Sequence, residues 1–335
     1  MTKTIKRRGV LQAAAAVGAG LTSPLASPGL ARAQDALESL KIIVGFPPGG
    51  SADVVSRHLG ERLTGTYARS VIVDNRPGAA GRIAIEMLKN SPPDGRTLVL
   101  TPASTVTVYT DIYKQLSYNP STDLAPVSLT ATFVHGCAVG PVVPAEVKTL
   151  AQFADWAKAN PGKANCGNPG EGSFPHFLTL VMAKALGAPI QPVPYRGGAP
   201  ALADMMAGQL AALMLPDGSF LPYTRDNRAR VLATSGEKRS PFYPDVATFA
   251  EQGVKELVVT EWFGLFAPAA TPAAVVSRAS EAIGKALASK EIAQAFANLG
   301  MVPKSSTPAE LAGLIKAEAA TWGPIIRSTG FKPLE

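Results

Sequence analysis

Lys41-Ile-Ile-Val-Gly-Phe-Pro-Pro-Gly-Gly-Ser-Ala-Asp-Val-Val55 is the stretch on which the reading of this chain turns. Its left half, Ile42 to Phe46, is a short continuous apolar run, which suits a strand buried on both faces. Its right half sets Gly49 and Gly50 before Ser51, a good helix N-cap, and a helical run follows from Ala52. A strand that ends in a glycine turn opening a helix is an anion cradle, because free amide N–H groups and the positive end of the helix dipole converge there. Read alone, the stretch is equally a tight turn with a well-capped helix.

Upstream, Lys3, Lys6, Arg7 and Arg8 precede a weakly apolar run from Val10 to Leu21, and Ala31-Arg32-Ala33 follows before Gln34. This is the three-part plan of an export signal over residues 1–33, and Lys6-Arg7-Arg8-Gly9-Val10-Leu11-Gln12 resembles a twin-arginine signal. The apolar run falls short of the ~20 residues a membrane span needs. A cleaved, soluble, exported protein is therefore expected. The signal also distorts the charge. The chain carries 32 basic and 25 acidic residues, and removing Lys3, Lys6, Arg7, Arg8 and Arg32 leaves 27 against 25, or about +2. Nothing in that balance points to nucleic acid.

Two cysteines, Cys137 and Cys166, are too few for a disulfide scaffold, although on neighbouring strands they could pair. His58, His135 and His176 are too far apart for a metal-ligand motif, so no metal and no cofactor is expected.

Strand and helix patterns alternate along the rest. Strands are read at 71–74, 97–101, 163–166, 190–195, 210–215, 230–234 and 257–266, with long strands through 125–140. Helices are read at 82–89, 150–159, 174–186, 273–289, 291–299 and 308–322. This is an α/β chain with mostly parallel sheets, in which ligands bind at the carboxyl ends of the strands. The glycine loops fall at those ends in two groups, residues 47–105 and 167–219, with breaks near 141–144 and 267–272. Two α/β lobes joined by two crossings follow, lobe 1 being 34–139 with 264–335 and lobe 2 being 140–263. The loops face one cleft, a geometry that permits hinge closure.

The loops carry no nucleophile elbow, no phosphate-binding lysine loop and no dinucleotide fingerprint. What remains is backbone donors, the hydroxyls of Ser51, Ser104, Thr105 and Ser173, and few charges. That inventory binds an anion without transforming it, so a binder and not an enzyme is expected. Asp53 sits where a helix dipole favours a carboxylate; it serves either the helix or a ligand ammonium. His176 either reaches a carboxylate or covers a helix start. Arg76 and Arg196 lie beside the proposed cleft as ligand cations or salt-bridge partners.

Taken together the loops resemble the substrate-binding proteins of tripartite tricarboxylate transporters, the Bug receptors. The matching text is Phe46-Pro47-Pro48-Gly49-Gly50-Ser51-Ala52-Asp53, Asn75-Arg76-Pro77-Gly78-Ala79-Ala80-Gly81, Gly170-Glu171-Gly172-Ser173-Phe174-Pro175-His176 and Pro194-Tyr195-Arg196-Gly197-Gly198-Ala199-Pro200-Ala201. Downstream, Lys238-Arg239-Ser240-Pro241, Pro244-Asp245-Val246 and Gly264-Leu265-Phe266-Ala267-Pro268 with Thr271-Pro272 continue it in the same order. The resemblance implies a type II periplasmic binding fold, a periplasmic location, capture of a small mono- or dicarboxylate, aliphatic or aromatic, and delivery to integral-membrane permease subunits. It implies a monomer. The ligand-binding residues it implies, with those read above, are Phe46, Gly49, Gly50, Ser51, Asp53, Ala80, Ser104, Thr105, Gly172, Ser173, His176, Arg196 and Asp217. The chain departs from the family pattern at Leu215-Pro216, where an Asp-Asn pair is usual, with Asp217 one step later; at Glu171, where a small or apolar residue is usual; at Thr101–Thr105; and at Ala80, more often Gly. Asp217 or Glu171 could replace the missing acid. The alternatives are a receptor that reports to a membrane sensor and, with less to support it, an exported hydrolase using Ser173 and His176.

Overall fold

The computed structural model describes residues 36–335, and the expected export signal lies outside them. In the amino-terminal part, β1 (Leu37–Val44), α1 (Ser51–Leu63), β2 (Ala68–Asn75), α2 (Arg82–Lys89) and β3 (Thr97–Pro102) follow one another. Two short helical turns, Ser104–Thr107 and Tyr109–Ile112, and a third at Pro120–Asp123 lead into β4 (Leu124–Phe133). The middle holds β5 (His135–Val139), α3 (Leu150–Ala159), β6 (Asn165–Asn168), α4 (Phe174–Leu186), β7 (Gln191–Pro194), α5 (Gly198–Met206), β8 (Ala212–Pro216) and β9 (Arg230–Thr234). The chain ends with β10 (Glu261–Pro268), α6 (Ala273–Leu287), α7 (Lys290–Ala297), β11 (Val302–Pro303) and α8 (Pro308–Ser328).

These strands form two sheets, one ordered β11-β4-β10-β3-β1-β2 and the other β7-β6-β8-β5-β9. The two α/β lobes expected from the sequence are therefore present. The sheets are mixed rather than mostly parallel. β1 is parallel to β2 and β3, but β10 runs antiparallel to β3 and β4, and β5 runs antiparallel to β8 and β9. The reason is the chain path: strands entering a sheet directly from the other lobe arrive without a helical crossover, and only such a crossover makes a parallel neighbour. The apolar run at 125–140 is accordingly two strands in different sheets, with the passage at Val134. The return passage ends at Glu261, after a turn at Lys255–Leu257, so the strand read at 257–266 starts later than expected, as β10. These passages lie a few residues ahead of the lobe limits read at 139/140 and 263/264.

Burial explains the rest of the pattern. Ile42, Ile43, Val44, Leu98, Val99 and Leu100 are sealed on both sheet faces, as continuous apolar runs demand. α8 is longer than expected and continues through Pro324 to Ser328. Proline removes one helical hydrogen bond, but here the deprived carbonyl, at the exposed Ala320, is open to water, while buried Trp322 and Ile326 hold the last turn. Trp322 packs on Phe174 of α4 with ring centroids 4.6 Å apart, and Phe331 meets Phe177 at 5.2 Å. The carboxyl-terminal helix thus braces the first lobe against the second.

Cys137 and Cys166 are free and buried. They are not on neighbouring strands, since β8 lies between β5 and β6. Their thiols nevertheless interact across β8, and that contact, with burial, pushes the Cys137 thiol well up. Among the described residues no helix is long and apolar enough to cross a membrane.

The lobes meet where Gly218, after β8, lies against the backbone of Leu299 and Gly300. A Cβ on Gly218 would stand 1.9 Å from the Leu299 carbonyl oxygen. Gly218→Ala is expected to force these loops apart and to destabilise the protein by about 1–3 kcal/mol, the usual range for overpacking, read as a lowered denaturant midpoint.

Candidate functional site

A cavity of about 300 Å³ lies between the lobes. Its lining comes from the glycine loops of both lobes and from the two passages between them.

The first wall is the start of α1. Gly50, rather than the expected Ser51, is the N-cap and supplies no side chain to the helix, Ser51 being the first residue of α1. The N–H groups of Ser51, Ala52 and Asp53 have no protein acceptor among the described residues, the first bond of the helix being Val54 N–H to the Gly50 carbonyl at 3.0 Å. Asp53, which could have closed this end, is turned away. Its carboxylate accepts from the Gly49 N–H (2.9 Å) and the Asn75 side-chain amide (2.9 Å), and pairs with Arg57 (2.9 Å). Burial alone would raise its pKa, but the hydrogen bonds from Arg57, Gly49 and Asn75 outweigh that and hold it below the usual range. Asp53 thus shapes the loop and does not line the cavity, which is its structural alternative.

Ala79 and Ala80 follow at φ 46° and 53°, two consecutive non-glycine residues in the left-handed region. That conformation costs roughly 1–2 kcal/mol per residue and is held by the Tyr109 hydroxyl, which donates to the Ala80 carbonyl at 2.8 Å. The strain sets Ala80 in the lining. Ser104 also lines the cavity, at the start of a helical turn where an irregular loop was expected. Thr105 does not: its hydroxyl donates to the Pro102 carbonyl (2.8 Å) and lies 2.8 Å from that of Thr101.

In the second lobe Ser173 and Gly170 reach the cavity. Gly172 and His176 stay behind them, supporting the loop. The Gly172 N–H donates to Nδ1 of His176 at 3.0 Å. Burial lowers the His176 pKa to about 4, which keeps Nδ1 free to accept. Arg196 is exposed and lines an outer cavity with Arg82, Tyr113 and Glu171. Arg76 pairs with Asp74 at 2.9 Å. Of the expected residues, Phe46, Gly49, Gly50, Ser51, Ala80, Ser104 and Ser173 meet at the cavity; Asp53, Thr105, Gly172, His176, Arg196 and Asp217 do not line it.

The sequence reading missed the floor. His135 opens β5 and Glu261 opens β10, so the two lobe passages deliver one ionisable side chain each to one place. Nε2 of His135 lies 2.6 Å from Oε2 of Glu261, with exposures of 1% and 4%. An ionised carboxylate only accepts, so the imidazole donates from Nε2. Both residues line the cavity, as do Phe133 and Phe263, whose ring centroids lie 4.9 Å apart. The available signal was an ionisable residue inside an otherwise apolar strand, which is rarely buried without a partner.

Asp217 is fully buried beside this floor, and neither carboxylate oxygen makes a well-formed hydrogen bond. Burial raises its pKa to about 6; the Ser240 hydroxyl, the Gly218 amide and His135 only soften the rise. Glu318, which accepts from the Trp262 indole at 2.8 Å, is raised to about 7, again chiefly by burial. Among the described residues no group of three or more His, Cys, Asp or Glu side chains could hold a metal ion.

With this geometry in place, the comparisons are informative. The family model described as "Tripartite tricarboxylate transporter family receptor" matches residues 55–331. The chain belongs to that family. Protein BugT of Bordetella pertussis is 33% identical over 294 residues, 88% of this chain and 90% of that one. The periplasmic binding protein BugD superposes with a TM-score of 0.81 at 26% identity, over 88% of this chain and 98% of that one. Rpa4515 of R. palustris, solved with adipate, gives a TM-score of 0.82 at 27% identity with the same coverage. The two-lobed periplasmic binding fold implied by the resemblance is thus the fold of the chain, and the family is one of receptors rather than enzymes.

A buried acid whose folded pKa is raised holds its proton more tightly folded than unfolded. Asp217 therefore favours the fold below about pH 4, and that advantage is lost as pH rises from about 4 to 6. Asp217→Asn, nearly the same shape, is expected to gain up to about 3 kcal/mol over the parent above pH 6 and nothing below pH 4, measured by urea titration at both ends.

Proposed function

We propose that the protein is a periplasmic solute-binding protein that captures a small organic carboxylate and hands it to the membrane subunits of a tripartite tricarboxylate-type transporter. One observation carries the ligand class: three adjacent helix-start N–H groups without acceptors, beside the Ser51 hydroxyl, at the wall of an otherwise apolar cavity. A carboxylate there gains charge-assisted hydrogen bonds and the helix dipole together. The adipate bound by Rpa4515, on the same fold, supports the same class for this chain. Phe46, Leu202, Leu215 and Tyr223 offer the carbon body an apolar wall. Export by the segment 1–33 and the transporter partnership rest on the sequence pattern and the family. The two sheets then act as lobes hinged at Val134 and near residue 260, closing on the ligand as monomer jaws do.

A thermal-shift screen of mono- and dicarboxylates tests this directly. A ligand at a hundredfold excess over its Kd adds about 2.7 kcal/mol to native stability. Shifts given by sugars or cations and by no carboxylate would refute the reading.

Gly50→Asp gives a sharper test. Gly50 has φ −76° and ψ 164°, which any residue adopts, and a Cβ there meets only the Pro47 carbonyl oxygen at 3.5 Å. Aspartate at an N-cap accepts from the helix-start N–H groups and is worth a few tenths of a kcal/mol to about 1 kcal/mol over glycine. The variant is expected to melt no lower than the parent yet to lose the carboxylate shift, because its own carboxylate occupies the cradle.

A further inference from the structure

The cavity carries opposite electrostatics on two parts of its lining, the start of α1 after β1 and the start of β10, which β3 separates from β1. At the α1 wall it offers N–H donors. At the floor it offers Glu261, which is the only side chain among the described lining residues that bears a negative charge, and no lysine or arginine lines it. Glu261 is held by one oxygen only. Oε2 takes the His135 Nε2–H at 2.6 Å, whereas Oε1 has no hydrogen-bond donor among the described residues and is not sealed off as the oxygens of Asp217 are. His135 is itself buried and meets the Phe133 ring edge-on (5.6 Å), and its backbone N–H donates to the Ser235 hydroxyl (2.9 Å). Asp217, behind His135, adds a second acid near the same floor.

A buried carboxylate oxygen facing a cavity wants a donor. A ligand that brings one gains a charge-assisted bond; a ligand whose far end is a second carboxylate meets like charge in a site short of water. An alkyl end leaves Oε1 desolvated and unpaired. We infer that Glu261, positioned by His135, reads the far end of the ligand, and that the protein selects carboxylates bearing a distal hydrogen-bond donor, a hydroxyl or an ammonium, over dicarboxylates and over plain alkyl acids. This rests on the carboxylate reading above and narrows it.

A matched set isolates the far end: hexanoate, 6-hydroxyhexanoate, 6-aminohexanoate and adipate, with butanoate, 4-hydroxybutanoate, 4-aminobutanoate and succinate as the shorter series. Isothermal titration on the mature protein is expected to give a hydroxy or amino member at least tenfold tighter than both its alkyl and its dicarboxylate counterparts. The hydroxy and amino arms separate the two donor types. In Glu261→Gln the carboxamide oxygen still accepts from His135 but the charge is gone. There the ammonium preference is expected to fall at least tenfold and the dicarboxylate to gain relative to the parent. Equal affinity of the alkyl acid with both its hydroxy and its amino counterpart, or a dicarboxylate binding tightest to the parent, would overturn the inference while leaving the carboxylate reading intact. Silence from every acid in both series would overturn that reading itself. The comparison within the parent stands even if the variant folds poorly.

Discussion

The rest of the structure depends on one unsatisfied helix end. Most helices borrow a side-chain oxygen for their first N–H groups, as α3 does from Thr149, α7 from Ser289 and α8 from Thr307. α1 does not: Gly50 has nothing to offer, and Asp53 is spent on Gly49, Asn75 and Arg57. Leaving such donors buried without partners costs about 1–3 kcal/mol each. The carboxylate proposed above would supply the acceptor that these donors lack. β1 fixes the position of that end by running sealed between β2 and β3, so the donors are presented by a rigid element rather than by a loop.

Beyond β3 from this end the protein places acid. His135 and Glu261 stand 126 positions apart and meet only because both lobe passages run through one point. Donors at one wall and an acceptor at the floor give the cavity a polarity, and its apolar sides keep water from screening either. Strain elsewhere serves the same end: the left-handed pair Ala79-Ala80 holds its unfavourable geometry because Tyr109 grips it from behind.

The legible part of this design was the local part. β1, the glycine turn and α1 could be read because an apolar run, two glycines and a helical pattern are contiguous, and α2, α3, α4 and β9 fall where the pattern put them. The family resemblance, carried by whole loops, reached the fold. What escaped depends on contacts distant in sequence. Whether Asp53 faced a ligand or its own loop turned on Asn75, at the end of another strand. The strands carrying Cys137 and Cys166 looked adjacent until β8 inserted between them. His176 read as a possible anion contact, but burial under Phe177 and Phe331 makes it a neutral acceptor for its own loop. The floor pair went unread because neither member has a local motif.

The way the lobes touch bears on how the site works. Around the cavity the facing surfaces are small: Gly218 lies on the Leu299 backbone, a Cβ on Gly197 would sit 3.3 Å from Pro47, and one on Gly170 would sit 3.8 Å from the Ala80 methyl. A ligand shifts an opening equilibrium only by its difference in affinity for the two states. Here that difference comes from groups on separate bodies. The N–H donors of α1 belong to the first lobe, Ser173 and Gly170 to the second, and the His135–Glu261 pair joins the first residue of one passage to the last of the other. In the proposed clamp a molecule that touches all three sets would stabilise closure, whereas one that satisfies the α1 end alone would bind an open form nearly as well and shift little. Selectivity and closure are then the same discrimination, exercised at the hinge.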